Sequence, residues 1–192
     1  MSFDPPPPAA AWQHQEARRG FEVAFFTADG SGWRIDGRSS AVEDGNIWLV
    51  DYTIAVDAQW ITREAAVAGR TSSATMLVTL QADGEGTWTV GGEPAPHLDG
   101  CLDVDLEASV VTNALPVHRL KLRPGSAAST PAAYVRALDL TVERLEQRYQ
   151  RLDDGVAHRF AYSAPAFDFE SELTYDRSGL LLNYPGIGVR AG

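Results

Sequence analysis

The chain has 192 residues, 44% hydrophobic and 22% charged, the composition of a globular domain able to bury a sizeable core. Its formal net charge of −10, with Lys121 the one lysine, excludes the basic stripe that nucleic acid requires and argues against an anionic membrane surface. No run approaches the ~20 apolar residues of a spanning helix, Met1-Ser2-Phe3-Asp4 lacks the features of a signal peptide, and Cys101 is alone, so the reading is a soluble, cytoplasmic protein without an intrachain disulfide.

Residues 1–11 are rich in proline and alanine and are expected to form a disordered tail, with a single domain over 12–192. From Trp12 onward, strand patterns recur between glycine-rich turns. Gly20 to Ala28 places Phe21, Val23 and Phe25 on one face, before the turn Asp29-Gly30-Ser31-Gly32. Trp33 to Val42 follows, then Glu43-Asp44-Gly45-Asn46, then the β-rich Asn46 to Asp57. Trp60 to Val67, Thr75 to Gln81 and Thr87 to Val90 continue the series. Near the carboxyl end, Phe167, Phe169, Leu173 and Tyr175 alternate with acidic and polar residues, Asp176-Arg177-Ser178-Gly179 closes a hairpin, and Asp153-Asp154-Gly155 reads as another turn. These spacings predict a mainly antiparallel sheet. Two segments carry helical spacing: 109–122, which Ser109 could cap and where Pro116 forces a kink or a start near Leu115, and 131–150, where strand spacing competes. One helix is expected, at either place.

The segment Leu98 to Leu106 bears most on function. Strand alternation would align Asp99, Asp103 and Asp105 on one face, and adjacent carboxylates repel one another. A solvated face, a cation site or a hydroxyl-rich ligand would each relieve that repulsion. The spacing lacks the loop and bidentate glutamate of a calcium-binding hand. His97, Asp99 and Cys101 stand too far apart along a strand to converge on one transition metal. Asp103 and Asp105, about 6.6 Å apart by strand rise, have a separation that glycoside hydrolysis permits, although they would share one wall of any cleft. No nucleophile elbow, phosphate loop or dinucleotide fingerprint occurs. Cys101 reads as a packed residue, most aromatic residues read as core, and Glu22 and Arg119 are candidates for a structural pair.

Leu98 to Leu106, followed by Thr112-Asn113-Ala114-Leu115-Pro116-Val117-His118-Arg119-Leu120, resembles the signature of a bacterial family named for putative glycolipid binding. Tyr52 to Trp60, Gln147-Arg148-Tyr149 and Asp176 to Pro185 extend the resemblance over nearly all the chain beyond the proline tail. The resemblance implies a mainly β fold, a large curved antiparallel sheet or half-barrel wrapped around a single α-helix, distantly like lipoprotein carriers. It also implies a homodimer and an acidic pocket. Two positions depart from the pattern: Val110-Val111 replaces a Thr-Pro pair, and His118 replaces the first of two arginines, where it would carry little charge at neutral pH. The expected function is non-enzymatic binding of a lipid or glycolipid in an amphipathic cavity, with Asp99, Asp103, Asp105, Asn113 and Arg119 meeting a hydroxylated head group. No catalytic residue, metal or cofactor is assigned. The alternative is an enzyme acting on a sugar or lipid ester, with the acidic row as acid and base.

Overall fold

The computed structural model describes residues 3–16, 18–152 and 157–192, so the expected turn at Asp153-Asp154-Gly155 lies outside the described residues. The first half consists of β1 (Ala9–His14), β2 (Arg19–Asp29), β3 (Gly32–Glu43), β4 (Asn46–Val56), β5 (Thr62–Thr71), β6 (Thr75–Ala82), β7 (Trp88–Val90) and β8 (Glu93–Pro94). Then come β9 (Asp103–Leu106), the helix α1 (Ala114–Leu120), β10 (Ala127–Ser129), β11 (Ala132–Val135), β12 (Val142–Leu145) and β13 (Arg148–Arg151). β14 (His158–Ala164), β15 (Phe169–Tyr175), β16 (Leu181–Tyr184) and β17 (Gly188–Arg190) complete the chain.

Fourteen strands form one antiparallel sheet in the order β10-β13-β14-β15-β16-β17-β1-β2-β3-β4-β5-β6-β7-β8, with β10 and β8 as free edges. The sheet does not close. A second, three-stranded sheet, β12-β11-β9, pairs β11 with β9 in parallel and with β12 antiparallel.

The long hairpins follow directly from turn chemistry and alternation. Asp44 and Gly45, both at positive φ (49° and 80°), form the two-residue loop that the right-handed twist of β3 and β4 favours. In β4 the side chains of Trp48, Val50, Tyr52, Ile54 and Val56 are all buried, and their neighbours point outward. β2 behaves differently. Phe21 and Phe25 do share a face, but it is the outer one, 43% and 55% exposed, while Glu22, Ala24 and Phe26 point inward. Residue size misleads here because an inward carboxylate that finds enough donors can occupy a core position.

The helix occupies the first of the two candidate segments. Pro116 falls in its first turn, where no backbone N–H is needed, and Lys121 at φ 47° ends it. Ala114, Leu115, Pro116, Val117 and His118 are buried. Side chains from distant strands enclose the segment: Trp60 beyond β4 stacks on His118 at 3.6 Å, and Tyr175 on β15 donates to the Asn113 carbonyl at 3.1 Å. The large sheet therefore wraps around this one short helix. Residues 131–150 instead form β11, β12 and β13, with Leu140 at φ 56° in the turn between the first two.

The expected disordered tail takes a different form. Ala9, Ala10 and Ala11 belong to β1 and pair with Phe25, Ala24 and Val23 of β2. The Phe26 N–H donates to Pro8 at 3.0 Å, the Asp4 N–H donates to Arg177 at 3.0 Å, and Phe3 packs at 4.7 Å from the His118 ring. Proline lacks a donor but fits an extended strand margin, which composition alone does not distinguish from disorder.

Candidate functional site

A cavity of about 240 Å³ lies between the three-stranded sheet and the inner face of the large sheet. Asp105 and Glu107 face it from the β9 side, and Tyr134 faces it from β11. Tyr162 on β14, Tyr184 on β16 and Phe169 on β15 form the opposite wall. Ser109 and Asn113, in the turn that leads into α1, also line it, as does Phe167, which is 44% exposed. The volume is below the roughly 300–1,000 Å³ of sites that enclose a whole small molecule, so it suits a head group more than a complete lipid. The interior beyond is filled by Trp12, Tyr149, Phe160 and Tyr175, each at most 1% exposed. The expectation that apolar strand faces leave room inside for acyl chains therefore does not match this packing.

The five residues singled out in the sequence are not gathered in one place. Asp99 is exposed, on a loop that follows a 3₁₀ turn at Pro96–Leu98, and Gly100 at φ 85° separates it from β9. The acidic row thus shrinks to two residues, because the strand begins only at Asp103. Asp103, 2% exposed, is held by a bidentate Arg119 at 2.9 and 2.5 Å and by the Thr130 hydroxyl at 3.1 Å. This pair links β9 to the helix and does not line the cavity. Glu22 does not contact Arg119 in this way. Its buried carboxylate instead accepts from Tyr52 at 2.6 Å, Ser109 at 2.5 Å and the Val110 N–H at 2.6 Å, tying the turn before α1 to the large sheet.

Asp105 and Asn113 do reach the cavity. Asp105, 8% exposed, accepts from the Thr112 hydroxyl at 2.8 Å and from Gln147 Nε2 at 2.5 Å. Burial pushes its carboxyl up to about 6, against the pull of those two donors. Asn113 Oδ1 accepts from Tyr149 at 2.9 Å, which leaves its amide NH₂ as the donor it can offer. The His118 imidazole lies against Phe3 and Trp60, away from the cavity, and burial brings its pKa down to about 4. Cys101 is fully buried and its thiol is pushed up to about 11 by burial, a packed residue without nucleophilic character.

Two groups of cavity residues escaped the reading of the sequence. Tyr134, Tyr162 and Tyr184 are 5–8% exposed, with phenols raised by burial, and come from strands scattered over fifty residues. Arg18, 5% exposed, also lines the cavity, with its guanidinium 5.3 Å from the Trp48 ring centroid. No local pattern marks either group. Among the described residues, no three or more His, Cys, Asp or Glu side chains are grouped so as to hold a metal ion. No helix there is long and apolar enough to cross a membrane.

A sequence profile for the family described as "Putative glycolipid-binding" matches residues 9–190. The crystal structure of a DUF1089-family protein from Pseudomonas aeruginosa is 31% identical, with a TM-score of 0.76 over 88% of this chain and 92% of that one. A β-barrel-like protein of the DUF1849 family from Brucella abortus superposes with a TM-score of 0.57 over 98% and 96% of the two chains, at 10% identity, a likeness of fold alone. Comparison with curated proteins finds no match.

Proposed function

The chain belongs to the "Putative glycolipid-binding" family, and from that premise we propose that it binds the head group of a lipid-linked sugar without altering it chemically. One observation carries the reading: a cavity the size of a sugar ring that combines buried polar groups with three tyrosine side chains. Sugar hydroxyls both donate and accept, so they suit Asp105, which accepts when ionised, together with the Asn113 amide and the Ser109 hydroxyl. The C–H faces of a sugar ring pack on aromatic rings such as Tyr134, Tyr162 and Tyr184. The acyl chain would leave past Phe167 at the rim, where each methylene shielded from water contributes about 0.8 kcal/mol.

In this reading, Asp105 and Asn113 contact the ligand and Asp103–Arg119 positions the helix behind them. The same proposal has the protein act in the cytoplasm as a homodimer. The exposed Phe21, Phe25 and Leu77 on β2 and β6 support an interface on the outer face of the sheet. The test is native mass spectrometry after gentle purification, followed by titration with octyl β-glucoside. Carried or added amphiphile bound at one per chain, and weakened about tenfold by Tyr162→Ala, supports the reading. A protein that neither carries nor accepts any amphiphile overturns it.

A further inference from the structure

Among the described residues, the buried and half-buried arginines have ion-pair or hydrogen-bond partners, Arg18 excepted, and Arg190, though paired, has its Nη1 buried without a hydrogen bond. Arg119 pairs with Asp103, Arg190 with Asp176, and Arg151 donates to the Leu122 carbonyl. Arg18 follows the turn out of β1, is 5% exposed and faces the cavity. Among the described residues it forms no ion pair, and its Nε is buried without a hydrogen-bond partner. The nearby acids are already committed. Glu22 accepts from Tyr52, Ser109 and Val110, Glu43 accepts from Trp48 Nε1 at 3.1 Å, and Asp105 accepts from Thr112 and Gln147. A guanidinium is permanently charged, so it cannot escape burial by losing its proton as a lysine would. Glu107, the third carboxylate of the lining, accepts from the Ala137 N–H and pairs with Arg136, so the Arg18 Nε, facing a cavity with acids engaged elsewhere, is open to an anion from outside the chain.

We infer that Arg18 anchors an oxyanion, a carboxylate or phosphate, on the head group bound in this cavity. The inference rests on the reading above for the amphiphile, and stands on Arg18 alone for the anion. The Arg18 fork matches such a group with two parallel hydrogen bonds, while the Trp48 ring beneath it limits the guanidinium's freedom. The ligand class is thereby narrowed to acidic or phosphorylated glycolipids, with neutral ones disfavoured.

Two probes that differ by a single carboxylate test this: octyl β-glucuronide and octyl β-glucoside, titrated calorimetrically into the full chain, with free glucuronate and inorganic phosphate as controls. The wild type should bind the glucuronide at least tenfold more tightly than the glucoside. Arg18→Met should abolish that preference, and Arg18→Lys should retain part of it. Equal affinities in the wild type overturn the anion anchor and leave the amphiphile reading standing. Binding of free glucuronate or phosphate as tight as that of the octyl glucuronide supports the anchor and overturns the lipid. Should Arg18→Met not fold, the wild-type preference, and its loss between low and high salt, still decides the matter.

Discussion

Asp105 shows what burial does to one side chain. Burial pushes its carboxyl up to about 6, because desolvation outweighs the hydrogen bonds from Thr112 and Gln147. The folded chain therefore holds this proton more tightly than the unfolded chain does, and the contribution of Asp105 to stability falls as pH rises from about 4 to about 6 and is flat above that. In Asp105→Asn the amide can replace the carboxylate if Gln147 flips its own amide. The variant should gain on wild type by up to about 3 kcal/mol between pH 4 and pH 7, read from urea midpoints at the two pH values. Equal gains at both would show that Asp105 titrates normally. Asp103 is held by a charged partner, Arg119. Arg119→Ala leaves a carboxylate that is 2% exposed with Thr130 as its remaining donor, and should cost about 3–5 kcal/mol in the same assay. Leucine at both positions should cost less than the single change.

At the scale of elements, the contact of β2, β3 and β4 depends on a residue without a side chain. Tyr52 on β4 reaches Glu22 on β2 by crossing the strand between them, and Gly37 on β3 leaves the space for its ring. A Cβ on Gly37 would lie 2.1 Å from Tyr52 Cζ. Gly37→Ala must therefore displace the ring and break its bond to Glu22, and with it part of the clamp on the turn before α1. A loss of roughly 2 kcal/mol is expected, with reduced glycoside affinity because Ser109 and Asn113 shift together. Thermal melting and calorimetry on the same preparation check both. Glu22→Gln tests the clamp directly: its amide would set a donor against the Val110 N–H or a hydroxyl, costing about 1–3 kcal/mol.

For the whole molecule, the large sheet covers its inner face with the three-stranded sheet and the helix, and leaves large apolar side chains on its outer face. Phe21 and Phe25 lie beside Val23, and Leu77 stands two strands beyond β4. If copies of the chain associate through that face, Phe25→Ser should shift sedimentation from dimer to monomer without lowering the melting temperature of the monomer. A dimer that survives the change would place the interface elsewhere.

The strands, most of their turns and the family signature were legible in the sequence, because alternation and positive-φ turn residues act over neighbours within a few positions. The helix was legible as one of two segments, and its place was decided by what encloses it: Trp60 and Tyr175, remote in sequence, bury residues 113–118. Charge placement was the least legible. Asp99, Asp103 and Asp105 are equivalent by spacing, yet one is exposed, one is paired and one faces the cavity. Glu22 and Arg18, without a pattern to mark them, are both buried, one satisfied by three donors and the other with its Nε lacking a hydrogen-bond partner among the described residues. Periodicity records which way a side chain points along its own strand. Only the closed tertiary arrangement brings donors, acceptors and counter-charges from distant strands to within about 3 Å, and that distance decides what a buried charge does.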